Sequence, residues 1–277
     1  MKIVSAVKVS VLVDNCVWKA QLRGEHGLAL LLETPESKVL FDTGQSSEVL
    51  MHNAEMMGID LRQVESVVLS HGHYDHTGGL VAVAGMIGSP RLYAHPQAFG
   101  EKYSKHGDNL RAIGCPVRPE ELDAKFISVE QPTEVAPGVV ATGEIVRSTD
   151  FEQIPPHFLQ RSGETWIQDL LWDDQALVVR TARGLLVLLG CAHSGVVNIL
   201  EHLRKRGYKE PIQAMIGGMH LQAADPSHLQ QTMHALDKFG VGVVVPLHCT
   251  GFRAAAYLAR HLGDRYRLGG VGSVFQF

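Results

Sequence analysis

The most informative stretch of this chain is Ser70-His71-Gly72-His73-Tyr74-Asp75-His76-Thr77-Gly78-Gly79-Leu80. It follows the apolar run 64–69, which predicts a buried strand, and it leads into residues 79–87, whose apolar spacing predicts a helix. Three imidazoles and one carboxylate therefore fall within six residues. Such groups repel and desolvate one another unless a cation binds them, so we expect a metal site here rather than a solvated loop.

The spacing of these side chains predicts two metal positions. Residues i and i+2 at the end of an extended strand project to the same side, so His71 and His73 are placed to hold one ion. Asp75 and His76 follow about one helical turn later and are placed to hold a second. A pair of divalent ions polarises a scissile group and generates hydroxide near neutral pH, while Asp75 beside the water acts as the catalytic acid or base.

The pattern outward from this stretch predicts an α/β (α+β) protein. Before it, strands are predicted at 7–13, 27–32 and 38–41 and a helix at 46–57; after it, strands at 184–189, 212–219 and 241–246 alternate with helices. This order predicts two packed sheets with helices outside, an αββα four-layer sandwich. We expect one domain spanning 1–277, with an insertion or cap around 99–160, where glycine, proline and charge mix with short strands.

Composition excludes several classes of partner and site. The net charge of −4 leaves no basic excess to attract nucleic acid or an anionic membrane surface. The four cysteines form no Cys-x-x-Cys pair, which argues against a structural zinc knuckle or a disulfide framework. No apolar run approaches the roughly 20 residues of a membrane span, and the N-terminal residues do not resemble a signal peptide. We therefore expect a cytoplasmic protein that acts on a small molecule, with homo-oligomer formation left open.

The segment 71–76 resembles the His-x-His-x-Asp-His motif of the metallo-β-lactamase superfamily. Further matches span nearly the whole chain and look like the subfamily of dihydropterin-ribofuranosyl-aminobenzene phosphate synthases. They are Leu12-Val-Asp14-Asn15, Gly24-Glu-His-Gly-Leu28, Leu40-Phe-Asp42-Thr-Gly44, Gly190-Cys-Ala-His193-Ser-Gly195, Gly217-Gly-Met-His220 and Leu247-His248-Cys-Thr-Gly251. The resemblance implies the αββα fold that the element order also predicts.

The resemblance also implies a ligand set. One metal would take His71, His73 and His193, and the other Asp75, His76 and His248, with zinc as the first expectation and iron or manganese as alternatives. Many members carry Gly-Asp where this chain has Gly190-Cys191. The usual bridging carboxylate is therefore in doubt, and His193, His220, Cys191 or no residue takes its place.

Other residues have weaker sequence support. His220 follows two glycines at a strand end and is predicted to be catalytic, with a structural histidine as the alternative. Glu25, His26 and Lys102 are predicted substrate contacts, against a solvated turn for the first two and a solvated face for the lysine. Asp42 is predicted to orient a ligand histidine. For Cys191 and Cys249 we favour small buried thiols over metal ligands.

The leading functional prediction is a metal-dependent hydrolase that uses metal-bound hydroxide on a small-molecule ester, phosphate or phosphodiester. Three alternatives stand beside it. They are a synthase that condenses a pterin with an aminobenzene phosphate, a di-iron redox enzyme, and a slow-turnover metal-containing ligand sensor. The redox alternative needs an electron-transfer partner, since no flavin-type domain is fused to this chain.

Overall fold

The structure is a computed structural model that describes residues 2–277. Its α-helices are α1 (Ser47–Met56), α2 (Tyr74–Thr77), α3 (Leu80–Ile87), α4 (Val196–Lys205), α5 (Pro226–Lys238) and α6 (Phe252–Leu262). Its strands are β1 (Lys8–Val13), β2 (Ala29–Glu33), β3 (Lys38–Phe41), β4 (Ser66–Val68), β5 (Arg91–Ala94), β6 (Lys102–His106), β7 (Asn109–Ala112), β8 (Lys125–Ser128), β9 (Thr133–Ala136), β10 (Val139–Ala141), β11 (Phe158–Ser162), β12 (Thr165–Gln168), β13 (Ala176–Thr181), β14 (Gly184–Leu189), β15 (Ile212–Gly218), β16 (Val243–Leu247) and β17 (Val274–Gln276). None of the helices within residues 2–277 has the length and apolar character needed to cross a membrane.

Two large sheets form the centre of the molecule. The first has the strand order β17-β1-β2-β3-β4-β5-β8, and the second has the order β16-β15-β14-β13-β10-β9. Strands β3, β4, β5 and β8 run parallel in the first sheet, as do β14, β15 and β16 in the second. In both sheets the chain returns between neighbouring parallel strands through helices or long loops, as parallel pairing requires.

Three apolar clusters explain the layering. Between the sheets, Phe41 and Val9 of the first pack with Leu188 and Ile216 of the second. Outside the first sheet, α1 and α3 bury their apolar faces against it. Outside the second sheet, α4, α5 and α6 do the same. Burial of these faces drives the four layers together, and the predicted αββα sandwich is confirmed.

The local sequence explains the element bounds closely. The predicted helix 46–57 is α1, where the Ser46 hydroxyl accepts a hydrogen bond from Val49 N at 3.3 Å and caps the first turn. The predicted strand 64–69 shortens to β4 at 66–68. It starts later because Val64 ends the 3₁₀ turn before it, and beyond its end Leu69 N still donates to Tyr93 O at 2.9 Å.

A third, four-stranded sheet has the order β12-β11-β6-β7. The segment 99–160 contributes to it and also supplies β8, β9 and β10 to the two central sheets. Backbone contacts attach the small sheet to the histidine-rich segment, since Tyr74 N donates to Ile113 O at 2.9 Å and His73 pairs with Gly114. The reading of 99–160 as an insertion or cap stays a prediction.

Candidate metal centre

The predicted ligands meet where strands of both sheets end. His71 follows β4 of the first sheet, while His193, His220 and His248 follow β14, β15 and β16 of the second. The carboxyl ends of parallel strands lie at one edge, a common place for ligand sites in α/β proteins. The two edges approach closely at Gly190, where a Cβ would lie 2.0 Å from Ser70 Oγ. Only glycine permits this contact between the sheets.

The first group of ligand atoms comprises His71, His73 and His193. His71 Nε2 lies 3.0 Å from His73 Nδ1, and the His193 ring centroid is 4.7 Å from that of His71. Two imidazole nitrogens bound to one tetrahedral zinc ion are roughly 3.3 Å apart. The spacing in this group therefore matches the ligand separation around a single ion.

The second group comprises Asp75, His76 and His248. His76 Nε2 is 3.3 Å from His248 Nε2, and Asp75 Oδ2 is 3.3 Å from His248 Nε2 and 3.9 Å from His76 Nε2. These separations are again those of ligands that share one ion. The structure thus brings together all six residues predicted as metal ligands.

Neighbouring side chains orient the ligand rings. His76 Nδ1 lies 2.6 Å from Asp42 Oδ2, and His248 Nδ1 lies 2.7 Å from Asn15 Oδ1. Both oxygens accept, so the ring protons reside on Nδ1 and each Nε2 presents a lone pair toward the centre. His71 Nδ1 is held in the same way, 2.9 Å from Ser70 Oγ.

We expect Asp42→Asn to weaken zinc binding about 10–100-fold, the usual cost of losing a partner that orients a ligand. Asp42 is fully buried and accepts from Ser70 N, Ser70 Oγ and His76 Nδ1, whereas an asparagine amide would turn a donor toward one of these groups. A competitive chelator titration measures the affinity. Asp60→Asn, a change at an exposed aspartate of the first 3₁₀ turn, is the control. Equal zinc affinities in the two variants would contradict the proposal that Asp42 orients a ligand histidine.

Two of the predicted ligand histidines, His73 and His193, have the neutral rings that metal binding requires. Burial, with His220 and His71 next to it, holds the pKa of His193 well below its usual range, and burial lowers the pKa of His73 to about 3. These rings are neutral and their lone pairs are available. Neither ring nitrogen of His193 has a hydrogen-bond partner, although the residue is buried. A buried polar group without a partner is rare, and a metal ion accounts for it.

A cation is favoured most strongly around His76. Burial alone lowers its pKa, but the carboxylates of Asp42 and Asp75 outweigh burial and raise the pKa to about 9. The two carboxylates therefore create a negative potential that attracts positive charge to this buried position. The donor set and its electrostatics fit a divalent metal ion.

Backbone strain is concentrated around the centre. Asp42, Ala192, His220 and His248 all have positive φ, between 47° and 61°. Residues other than glycine adopt this region at a cost, and such strain collects at functional sites. Here it turns the chain sharply at the strand ends and aims side chains across the centre.

The centre opens into a cavity of about 460 Å³. Phe158 forms an apolar side, with its ring 5.3 Å from that of His73 and 5.5 Å from that of His193. His220 also lines the cavity; its ring lies 4.3 Å from that of His193, and its Nδ1 is buried without a partner. His220 therefore lies at the cavity, and its catalytic role stays a prediction.

The three predicted substrate contacts differ in position. His26 lines the cavity with its Nε2 3.2 Å from Asp75 Oδ2. Glu25 instead accepts from the backbone of Gln45 and Ser46, both at 2.9 Å, and so fixes the turn before α1. Lys102 is fully buried and paired with carboxylates. For Glu25 and Lys102, the prediction of substrate contact is replaced by a role in the framework, because Glu25 already accepts hydrogen bonds there and Lys102 is already paired with two carboxylates.

Lys102 ties the small sheet to the metal-binding segment. Its Nζ donates to Asp169 Oδ2 at 2.8 Å and to Asp173 Oδ1 at 2.9 Å. The other oxygen of Asp173 accepts from Gly72 N at 2.8 Å, between two predicted ligands. The sequence prediction overlooked both aspartates, whose only local signal is the acidic, aromatic stretch 169–174.

Sequence reasoning overlooked Arg111 and His157 in the cavity wall, whereas it considered His106 as part of a cationic wall for a phosphate against a solvated face. Arg111, His106 and His157 line the cavity on the side of the small sheet. Arg111 donates to Tyr74 Oη at 2.7 Å and lies over the Tyr74 ring. The sequence places Arg111 in a charged, strand-like stretch, a signal too weak to distinguish a cavity wall from a solvated face.

Comparison with known proteins agrees with this geometry. The sequence model of the metallo-beta-lactamase superfamily matches residues 22–158. The crystal structure of Tm1679, described as a metal-dependent hydrolase of the beta-lactamase superfamily, is 31% identical with a TM-score of 0.84, covering 97% of this chain and 98% of that one. This chain belongs to the metallo-β-lactamase superfamily. The resemblance seen in the sequence is confirmed.

Two other relatives of this metallo-β-lactamase superfamily member are informative. A 7,8-dihydropterin-6-methyl-4-(beta-D-ribofuranosyl)-aminobenzene-5'-phosphate synthase from Methanocaldococcus jannaschii is 27% identical, over 95% of this chain and 94% of that protein. The zinc-bound structure of PqqB from Methylobacterium extorquens is 13% identical with a TM-score of 0.56, covering 97% and 99% of the two chains. The PqqB match supports the fold alone.

Proposed function

We propose that this protein is a metal-dependent hydrolase that cleaves an ester, phosphate or phosphodiester bond in a small anionic molecule. The observation that carries the proposal is the close approach of two ligand groups, of which His73, His193, Asp75 and His248 line one cavity. His71, His73 and His193 would hold one divalent ion. Asp75, His76 and His248 would hold the other, with zinc as the first expectation.

Bound divalent ions at such a centre supply a Lewis acid for the scissile group and lower the pKa of water near it. The protein supplies the surroundings. Asp75 Oδ2 lies within hydrogen-bond distance of His26 Nε2, so a proton taken up at this carboxylate has a neighbouring imidazole. His220 offers an unpaired ring nitrogen on another side of the cavity, and Phe158 excludes water from the face nearest His73.

The side of the cavity formed by the small sheet supports an anionic substrate. Arg111 is permanently charged, and only part of its guanidinium is used by Tyr74. His106 and His157 stack beside each other, with ring centroids 4.7 Å apart, and add further hydrogen-bonding nitrogens. A carboxylate or phosphate of the substrate would be bound here while its scissile bond lies over the ligand groups.

We expect Arg111→Gln to raise KM for an anionic ester about tenfold or more, because a hydrogen bond to a charged group contributes about 1.5–3 kcal/mol. Steady-state kinetics on an anionic ester and its uncharged analogue would measure this effect, and the uncharged analogue should show little change in KM. Arg91→Gln is the control, since Arg91 is exposed and paired with Glu65 away from the cavity. An equal rise in KM for both esters would contradict charge recognition by Arg111.

The hydrolase proposal is tested by assaying the zinc-loaded protein on model carboxylic esters, phosphate monoesters and phosphodiesters. We expect turnover of at least one class, and loss of it in His73→Ala with the fold retained by circular dichroism. Unchanged activity in His73→Ala would exclude the proposed centre as the source of turnover.

A synthase is the second candidate, favoured by the 27% identity to the Methanocaldococcus jannaschii protein over nearly the full length of both chains. Incubation with a dihydropterin substrate and a ribofuranosyl-aminobenzene phosphate, followed by mass spectrometry, would detect the coupled product. Formation of that product without hydrolysis of the model esters would replace the hydrolase proposal with the synthase.

A further inference from the structure

Cys191 occupies a central position between the two ligand groups. It is 3% exposed and follows β14 through Gly190, the residue at which the two sheets touch. Its Sγ lies 3.1 Å from His76 Nε2. Within the described residues, Cys191 Sγ belongs to two sets of potential ligand atoms that lie within 4.8 Å of one another. One set contains His71 and His193, and the other contains His76 and His248. Cys191 is therefore common to both groups.

We propose that Cys191 Sγ is a ligand shared by both metal positions, in the place that a bridging carboxylate would occupy. This inference rests on the proposed metal centre and replaces our expectation, from the sequence, of an inert buried thiol. Coordination removes the thiol proton, which passes to solvent, and the resulting thiolate gains two cations as partners.

The carboxylates of Asp42 and Asp174, which lie near the ligand groups, accept hydrogen bonds from the surrounding residues. Asp42 faces the outer side of the ligand rings, where its oxygens accept from Ser70 and His76. Both oxygens of Asp174 accept backbone hydrogen bonds, from His193 N at 3.0 Å and Ser194 N at 2.8 Å. The oxygens of both carboxylates are therefore held by the surrounding framework, whereas Cys191 Sγ lies close to ligand atoms of both groups.

A shared thiolate also narrows the choice of metal. Histidine and carboxylate ligands accept zinc, iron and manganese alike, whereas thiolate favours softer ions such as zinc, iron and cobalt over magnesium and manganese. We therefore expect the wild-type protein to retain zinc or cobalt in the presence of excess manganese. Cys191→Asp, which restores a hard bridging group, is expected to reduce this preference without abolishing it, because nitrogen and oxygen ligands alone still favour zinc and cobalt over manganese.

Cys249 provides a matched control. It is also buried, and its Sγ is 3.5 Å from Cys191 O and accepts from His220 N at 3.3 Å. It shares a group of ligand atoms with Cys191 and His220 but with neither His71 nor His76. Replacing either cysteine by serine removes one buried thiol close to the centre, but only Cys191→Ser removes the proposed shared ligand.

The test uses the full-length protein loaded with cobalt, whose thiolate complexes show a charge-transfer absorption that imidazole and carboxylate complexes lack. Absorption spectra and cobalt per chain are recorded for the wild type, Cys191→Ser and Cys249→Ser. We expect the band in the wild type and Cys249→Ser, and its absence in Cys191→Ser. We also expect Cys191→Ser to bind cobalt at least tenfold more weakly, since even loss of a residue that orients a ligand costs about 10–100-fold.

A second measurement needs no variant. X-ray absorption of the wild-type zinc protein should contain a zinc–sulfur distance of about 2.3 Å beside the zinc–nitrogen distances. Absence of sulfur at the metal, a band that persists in Cys191→Ser, or a band lost only in Cys249→Ser would each overturn the proposal. Failure of the wild-type protein and of both variants to bind metal would overturn both this inference and the proposed function. A sulfur-ligated centre that hydrolyses no substrate would support the inference and contradict the hydrolase alone.

Discussion

Replacement of His71 and His73 together by alanine is expected to abolish binding at the first metal position and to lower hydrolysis at least about a thousandfold. That factor corresponds to about 4 kcal/mol of transition-state stabilisation, within the several kcal/mol that a metal ion provides. Both rings are buried, and they supply two of the three imidazoles in the group that they form with His193. Elemental analysis of purified protein measures the loss directly, from about two ions per chain expected for a binuclear centre.

The control for this prediction is His234→Ala combined with His261→Ala, two exposed histidines on α5 and α6. This control removes the same number of imidazoles from surfaces outside the cavity, so it should retain metal and activity. Circular dichroism establishes that both double variants are folded. Full metal content and full activity in the His71/His73 variant would show that the centre lies elsewhere in the chain.

Lys102→Met is expected to lower the free energy of unfolding by about 3–5 kcal/mol, because removing one partner of a buried ion pair leaves an uncompensated buried charge. Burial lowers the pKa of Lys102, but the Asp173 and Asp169 carboxylates outweigh burial and raise it, so the lysine is charged in the folded protein. The Lys102 ammonium in turn outweighs burial at Asp173 and lowers the pKa of that carboxyl. The variant would leave the carboxylates of Asp169 and Asp173 buried without the Lys102 ammonium.

Urea unfolding of Lys102→Met and Lys105→Met measures this effect. Lys105 lies on the same strand but is exposed, and its replacement should change stability by less than about 0.5 kcal/mol. Adding Asp169→Asn and Asp173→Asn to Lys102→Met removes the stranded charges, so part of the lost stability should return. Equal unfolding midpoints for the two lysine variants would refute the role assigned to the buried ion pair.

The framework of the fold follows from patterns that are local in the sequence. The run 64–69, the turn-forming glycines after it and the apolar spacing of 79–87 predict a strand, a loop and a helix around the ligand segment, and the structure has β4, α2 and α3 there. The family resemblance implied that His193 and His248 join His71 at the centre, and both follow apolar strands, as that placement requires. Lys102 was placed wrongly because an alternating polar strand looks the same whether a lysine faces solvent or an internal carboxylate.

By itself, the sequence predicted the sandwich architecture and a metal-binding segment at 71–76, because strand ends, helical spacing and a histidine cluster are all properties of neighbouring residues. The family resemblance added His193 and His248 as predicted ligands. Tertiary structure decided the partners of Lys102, the hydrogen bonds of Glu25 to the turn before α1, the cavity wall around Arg111 and the central position of Cys191. Asp169 and Asp173 are 67 and 71 residues from Lys102 along the chain, and Cys191 is 115 residues from His76. Contacts at such separations depend on which sheet edges meet, and the packing of the apolar layers determines that meeting.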